Sequence, residues 1–432
     1  MMFENRLPKD WEIKKLGEVA TFSQGIQVGL EQHLSEPKDG YVRFIRIVDY
    51  TQNTDDIRYV PDPGGKYYVN EDDIVMVRYG TPGLIGRGKA GVIANNLFRI
   101  KIERNDLTND YLSLFLSQDN IQKYLSTQGS ATMPALNFGQ LKTVEVRFPP
   151  LPEQQRIVSI LNECFAAIDK AKTNAEQNLK NAKELFESYL QGVFVKKGDG
   201  WEEKKLGEVL VKTETTDPTK NPDSEFTYLD VSSVNKETKE IETPTVLLGK
   251  DAPSRAKKLI KTDDVIFATV RPTHSRVAVI PEEFDEQVCS TGYFVLRTKE
   301  SVNNKLVFYF LLTKGFNGQM EKLQKGASYP AVTDNDVKGI LFRFPKSKTD
   351  QQNIVSQLDA LRTETQNLEV VYQKKIDDLE ELKKSILQKA FAGELKMSEL
   401  GFDGLKDDKI TLTDKKKILQ SSNPINYNSD NL

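Results

Sequence analysis

The feature that most limits the fold is a repeat that keeps its length. QQRIVSIL (154–161) returns as QQNIVSQL (351–358), and SYLQGVF (188–194) returns as SILQKAF (385–391), with no insertion between the two phrases in either copy. Ungapped repetition points to a regular element whose length matters, and the spacing of its apolar residues says which. From Pro152 to about Phe194, Ile157, Leu161, Cys164, Ile168, Ala171, Ala175, Asn178, Ala182, Leu185 and Tyr189 follow alternating steps of four and three. From about Thr349 to Phe391 the matching positions are Ile354, Leu358, Leu361, Thr365, Leu368, Tyr372, Lys375, Leu379, Leu382 and Ile386. Such steps make a coiled-coil seam rather than the broad stripe of a globular helix. Small residues on one seam (Ala171, Ala175, Ala182) answer larger ones on the other (Leu368, Tyr372, Leu379), so the helices are expected to pair.

A second repeat frames the first. PKDWEIKKLGEV (8–19) returns as GDGWEEKKLGEV (198–209), roughly 190 residues on, a period too long for a solenoid and suited to a tandem duplication of domain plus helix. In the first copy YVRFIRIVD (41–49), DDIVMVRYG (72–80), AGVIANNLFRIKI (90–102) and TVEVRF (143–148) read as strands, and DYLSLFLSQDNIQKYL (110–125) as a helix. The second copy repeats that order with FTYLDVSSV (226–234), DDVIFATV (263–270), GYFVLRT (292–298), a helix over 305–323 and ILFRF (340–344). Each last strand follows a Gly-small-Pro turn, GSATMPA (129–135) or GASYPA (326–331). The expected architecture is α+β: two similar mixed units at 1–150 and 201–346, helices at 151–194 and 347–394, a linker at 195–200 and a polar, disordered tail at 395–432.

Only the short linker VKKGDG (195–200) separates the first helix from the second unit, so a second helix that packs on the first runs back antiparallel to it, giving a pseudo-twofold repeat. Pro152 and Glu153 suit the first turn of the first helix. Roughly 43 residues at ~1.5 Å each make a rod on the order of 60 Å, a fixed spacer between two similar modules. Heptads alone also permit a homodimeric coiled-coil adaptor.

Of 432 residues, 28% are charged and they nearly cancel to a net charge of −3, so no global positive field marks a nucleic-acid partner. Two distant cysteines, Cys164 and Cys289, and no apolar leader predict a reducing cytosol. No apolar run approaches the ~18 residues that span a bilayer, so no membrane association is expected.

GLIGRGKA (83–90) matches a phosphate-binding loop except that Ala90 stands where Ser or Thr would hold magnesium, and AGVIANNLFRI (90–100) reads as a strand, not the helix such a loop needs. A nucleotide-hydrolysing switch is therefore disfavoured, and no dinucleotide fingerprint or adenine-methyltransferase motif appears. The two histidines, His33 and His274, lack metal-ligand spacing, so no metal site and no catalytic residue is expected. His33 reads as solvated; His274 lies in RPTHSR (271–276), between two arginines. That loop and RYGTPGLIGRGK (78–89) both follow a DD strand. Basic and hydroxyl side chains reach phosphates and base edges. The candidate DNA contacts are Arg43, Arg46, Arg78, Thr81, Arg87, Lys89, Ser130 and Thr132 in the first unit, and Arg255, Lys257, Arg271, His274, Arg276 and Ser328 in the second.

The WExKKLGEV openings at Trp11 and Trp201, the DD strand-loop segments and PPLPEQQRIVSIL (149–161) leading into a long helix closely resemble the specificity subunits of type I restriction-modification systems. The resemblance runs to about Leu395; the second copy, PKSKTDQQNIVSQL (345–358), departs by lacking Leu-Pro-Glu. It implies a non-catalytic DNA reader with two target recognition domains, each reading half of a split, asymmetric site of double-stranded DNA. It further implies two modification methyltransferase subunits that use S-adenosylmethionine and restriction subunits that use ATP, with no cofactor in this chain.

Overall fold

The computed structural model describes residues 10–52, 55–127, 135–136, 138–195 and 200–395. They pack into two compact units. The first comprises the described residues within Met1–Glu176 and Lys374–Asp408, the second those within Gln177–Gln373. The expected boundaries at 150/151 and 346/347 set the helices apart; by packing, each unit instead includes half of each long helix. The cause is that the helix ends bury apolar side chains in the globular cores.

In the first unit, Glu12–Lys15 pairs antiparallel with Glu145–Phe148, Glu12 opposite Phe148. The opening motif is thus held by the strand that leads into the long helix. Leu16 and Val19 are buried, and the Leu16 amide donates to the Val144 carbonyl at 2.7 Å. Gly17 between them is required by a close approach: a Cβ there would sit 2.7 Å from Lys142 Cγ. Two four-stranded sheets follow. One has the order Ala20–Gln24, Leu97–Ile102, Ile74–Val77, Ile85–Gly86; the other Arg58–Pro61, Tyr41–Ile45, Gly91–Ile93, Tyr68–Val69. The run 90–102, expected as one strand, is two strands in different sheets, divided by a turn at Asn95 and Asn96, residues that favour turns. The expected strand 41–49 ends at Ile45 and passes into a helical turn, Val48–Thr51. The expected helix 110–125 is two, Asn109–Leu116 and Asp119–Thr127.

The second unit repeats the plan. Trp201–Lys205 pairs with Leu341–Pro345, Trp201 opposite Pro345, and Leu206 donates to the Ile340 carbonyl at 2.8 Å. One sheet has the order Thr245–Leu248, Glu225–Leu229, Val288–Ser290, Ala256–Leu259, and another Val277–Val279, Val265–Ala268, Tyr293–Leu296. In both units a parallel strand pairing interrupts an otherwise antiparallel sheet, Phe44 with Val92 and Tyr228 with Val288, and the first unit adds a parallel bridge from Ile26 to Ala94. The expected helix 305–323 is also two, Asn304–Leu311 and Lys314–Leu323, the latter capped by the Thr313 hydroxyl.

The long helices are Leu151–Val195 and Lys348–Phe391. Inside the first unit Ile157, Leu161 and Ile168 share a core with Leu379, Ile386 and Phe391, and Lys172 and Asp169 bond Glu380 and Lys383 at 2.6 and 2.7 Å. Inside the second, Leu190 and Val193 share a core with Val355 and Leu358, and Tyr189 donates to Gln357 at 2.6 Å. Numbers rise on one helix as they fall on the other, so the pairing is antiparallel. Ala175 is buried; Leu185, Ile354 and Leu368 are half-buried. Leu382 is a correction: it is 41% exposed, whereas Tyr372, Ile376, Leu379 and Ile386 are buried, as are Leu387, Ala390 and Phe391 at the helix end. Two successive four-residue steps, Leu368 to Tyr372 to Ile376, advance the seam by ~40° each beyond a full turn and carry positions 375 and 382 off it.

Candidate nucleic-acid interface

Each candidate loop leaves a DD strand, and the second aspartate of the pair builds the turn. Asp73 accepts the Asn70 amide and Asp264 the Lys261 amide, both at 2.8 Å. Asp264, 1% exposed, is also gripped by Arg297, whose Nε and Nη2 each donate at 2.8 Å. This fork raises the Arg297 pKa, chiefly through its hydrogen bonds to Asp264. The second aspartate of each DD pair therefore anchors its loop from within the fold.

In the first unit, the chain between Arg78 and Lys89 is a hairpin rather than one open loop, because Ile85 and Gly86 pair back onto Met76 and Val75. Its two ends part. Arg78, over the Tyr79 ring at 4.8 Å, donates from Nε to the Leu136 carbonyl at 3.1 Å, while Thr81 is exposed at the far turn. Arg87 returns to the start of the strand, bonded to the Asp110 carboxylate and the Asp72 carbonyl, and Lys89 lies 5.9 Å from the Tyr50 ring. Arg46 is spent on Asp49 and Asp56. Arg43 lines a cleft of about 530 Å³ with Asp73 and Arg99, and its Nε is buried with no partner among the described residues. Ser130 and Thr132 lie outside the described residues. Ala90 runs into the strand Gly91–Ile93, so no helix follows the glycine-rich loop.

The second unit's loop is held differently. Arg271 and Ser275 take left-handed conformations, φ +50° and +49°, on either side of the turn Pro272–His274. By register Arg271 stands where the first unit has Gly80, itself at φ +90°. The Arg271 amide donates to the Pro330 carbonyl at 2.7 Å and Val270 bridges Ala331, which brings the loop against the 326–331 turn. Arg271, His274 and Ser328 are exposed. Arg276 is not: its guanidinium bonds the Val234 carbonyl, an internal strut rather than a free cation. Lys257 is paired with Asp217 at 2.7 Å, which holds the Asp217 carboxyl down at about 2, whereas Arg255 is exposed.

Sequence reasoning missed the turn that braces this loop. Lys239, at φ +64°, donates to the Ser275 carbonyl at 2.8 Å, and the Thr238 carbonyl beside it accepts from Arg362 of the second long helix. Burial, with Arg362 and Arg276 nearby, pushes the Lys239 pKa down to about 8. It missed Tyr329 too, 71% exposed beneath Arg271. His33, read as solvated, is half-buried with its ring edge-on to Phe44 at 5.1 Å. Among the described residues no cluster of His, Cys, Asp and Glu is arranged to hold a metal ion, and no helix is long and apolar enough to cross a membrane. Cys164 and Cys289 are free and buried; burial pushes the Cys289 thiol up to about 12.

The chain thus holds two similar α+β units, each packed on its own stretches of the two long helices and each carrying a differently built loop after its DD strand. The chain belongs to the family described as the type I restriction modification DNA specificity domain, whose model matches residues 8–180 and again 198–381. The MjaVIII specificity subunit of Methanocaldococcus jannaschii is 24% identical over 420 residues, covering 92% of this chain and 96% of that one. The EcoKI specificity subunit of Escherichia coli is 22% identical over 427 residues, covering 91% of each. In fold, the chain is similar to the HsdS subunit from Thermoanaerobacter tengcongensis, with a TM-score of 0.56, 18% identity and coverage of 91% and 99%. It is also similar to a chain from a structure of a type I restriction-modification system, with a TM-score of 0.71, 18% identity and coverage of 90% and 100%.

Proposed function

We propose that this chain is the non-catalytic DNA specificity subunit of a type I restriction-modification complex, each unit reading one half of a bipartite, asymmetric site in double-stranded DNA. The observation that carries this reading is a shared strand order bearing unlike loops: Gly80 and exposed Thr81 in one unit stand where the other offers Arg271 and His274. One fold with two surfaces suits two different half-sites, since base-edge contacts determine sequence. The paired helices act as the spacer between the bases that are read. Two modification subunits supply methylation of adenine with S-adenosylmethionine, restriction subunits supply ATP-driven cleavage, and the assembly works in the cytosol.

A homodimeric adaptor without a DNA role is disfavoured, because within each unit the two seams already cover one another: Ile157, Leu161 and Ile168 against Leu379 and Ile386, Leu190 against Leu358. The test is selection from a random DNA pool by the chain assembled with its modification subunits. A bipartite motif supports the reading; a single contiguous motif, or binding with no sequence preference, refutes it.

A further inference from the structure

Within the second unit, arginines differ by what already occupies their guanidinium groups. Arg276 bonds Val234 and Ser232 carbonyls, Arg297 bonds Asp264 and Glu214, Arg343 bonds Glu203 and Arg362 bonds the Thr238 carbonyl. Among the described residues only Arg255 and Arg271 have no protein acceptor, and of these two only Arg271 is braced. Its guanidinium lies over the Tyr329 ring at 5.1 Å. Tyr329 is 71% exposed, an unusual place for a large aromatic ring unless it works there.

Both sides of this contact are fixed by backbone. On one side Arg271 adopts φ +50°, a conformation that disfavours a side chain and that glycine fills at the corresponding place in the first unit. On the other, the turn carrying Tyr329 is closed by reciprocal Lys325–Ala331 amide-to-carbonyl bonds at 2.9 Å and by Gly326 at φ +102°. The Arg271 amide joins the two through Pro330 at 2.7 Å. A guanidinium stacked on a ring face keeps its planar fork of N–H donors free at the edge, and that fork matches O6 and N7 of guanine. A lysine ammonium neither stacks as a plane nor donates as a fork.

We infer that Arg271 is a base-edge reader and Tyr329 its positioning residue, so that the second unit's half-site contains a guanine read in the major groove. This rests on the DNA-reading function proposed above. The test uses the full chain assembled with its modification subunits, comparing wild type, Arg271→Lys, Tyr329→Ala and Tyr329→Phe by selection from a random pool and by competition binding at two salt concentrations. Arg271→Lys is expected to lower discrimination at one guanine about 5- to 150-fold. Tyr329→Ala lowers it at the same position by about 2- to 30-fold, and Tyr329→Phe, which keeps the ring, restores it. The other half-site stays unchanged, and unfolding profiles match wild type because both side chains are exposed. Uniform loss on all sequences with a shallower salt dependence makes Arg271 a phosphate contact and overturns the inference. Unchanged motifs in both Arg271→Lys and Tyr329→Ala overturn it as well. A wild-type assembly that selects no motif refutes the DNA reading itself, before any variant is compared.

Discussion

Replacing Gln154 by leucine should be among the most damaging single changes in the first unit, although the side chain is neutral and its volume nearly conserved. Gln154 is 0% exposed in the first turn of the long helix. Its Nε2 donates to the Asp106 carbonyl at 2.7 Å and to the Pro149 carbonyl at 2.8 Å; its Oε1 accepts the Thr108 amide at 3.0 Å. Thr108 in turn caps the helix Asn109–Leu116 by accepting the Tyr111 amide at 3.2 Å. Tyr111 then donates to the Arg147 carbonyl at 2.8 Å and packs edge-on against Phe391. One amide side chain thus locks the helix start, a strand end and a neighbouring helix cap together.

Leucine strands three backbone groups, the Pro149 carbonyl buried and the Asp106 carbonyl and Thr108 amide part-buried, each worth up to about 1–3 kcal/mol when unsatisfied. Because they share one partner their costs do not simply add, and a loss of about 3–5 kcal/mol is expected. Urea unfolding of the full chain measures it, with Gln155→Leu, on the exposed side of the same turn, as the control that should move stability by no more than about 0.5 kcal/mol. Hydrogen exchange at the Thr108 amide should accelerate together with that loss. Gln154→Glu should be worse at pH 8 than at pH 5, because only the protonated acid can still donate to a carbonyl. Equal effects from Gln154→Leu and Gln155→Leu would refute the reasoning. Gln351 makes the matching bonds in the second unit, to Asn303, Ser301 and Pro345 at 2.7, 3.0 and 2.8 Å, and the same substitution there should cost a similar amount.

Gly86→Ala places a Cβ 2.5 Å from the Tyr50 ring, so thermal unfolding should show a loss of about 1–3 kcal/mol, relieved by Tyr50→Ala in the double variant. Lys239 has a folded pKa of about 8, below its ordinary value of 10.5, so the unfolded chain holds the extra proton between those values. Its contribution is therefore unfavourable below pH 8 and relieved as pH rises from 8 to 10.5; the stability of wild type relative to Lys239→Met should climb across that window in denaturant titrations. Removing the facing stretches 165–171 and 379–385 together deletes about two turns and keeps the seam within ~20°, so the assembled complex should still select both half-sites but with an altered unread spacer. Five-residue deletions rotate the seam by ~140° and should abolish folding, seen as lost helical circular dichroism; equal outcomes for seven and five would argue against the spacer.

The long helices were legible because their signal is repeated: a heptad sustained from Ile157 to Tyr189 leaves little choice of period, though it does not by itself choose the partner. On the second helix Tyr372, Leu379 and Ile386 were legible past Leu368, but Lys375 and Leu382 were not seen to leave the seam, since nothing in the sequence says that Ile376, and not Lys375, faces inward. Strands fared worse for a physical reason. Elements as short as Gly91–Ile93 and Ile85–Gly86 carry too few residues to display a period, and two adjacent ones merge into a single apolar run, as 90–102 did. Gln154 and Gln351 were visible as repeated letters, but their role depends on the Asp106 and Ser301 carbonyls and the Thr108 and Asn303 amides, more than forty residues away.

The candidate contacts show why charge in a sequence is a weak guide to recognition. An arginine becomes available to DNA through the bonds it does not make inside the protein, and those depend on long-range partners. Arg87 and Arg276, like Arg271, lie in the candidate loops, and Arg46 was a further candidate on a strand, yet Asp110, the Val234 carbonyl and Asp56 claim them. What marks Arg271 is a combination: left-handed backbone, an exposed ring beneath it and no protein acceptor among the described residues. The first unit spends no such strain at Gly80, where the glycine adopts the same sign of φ freely. On the inference drawn above, the two units differ in recognition through one residue at a left-handed turn position, Gly80 in one and Arg271 in the other, with the facing turn carrying Tyr329 as the brace.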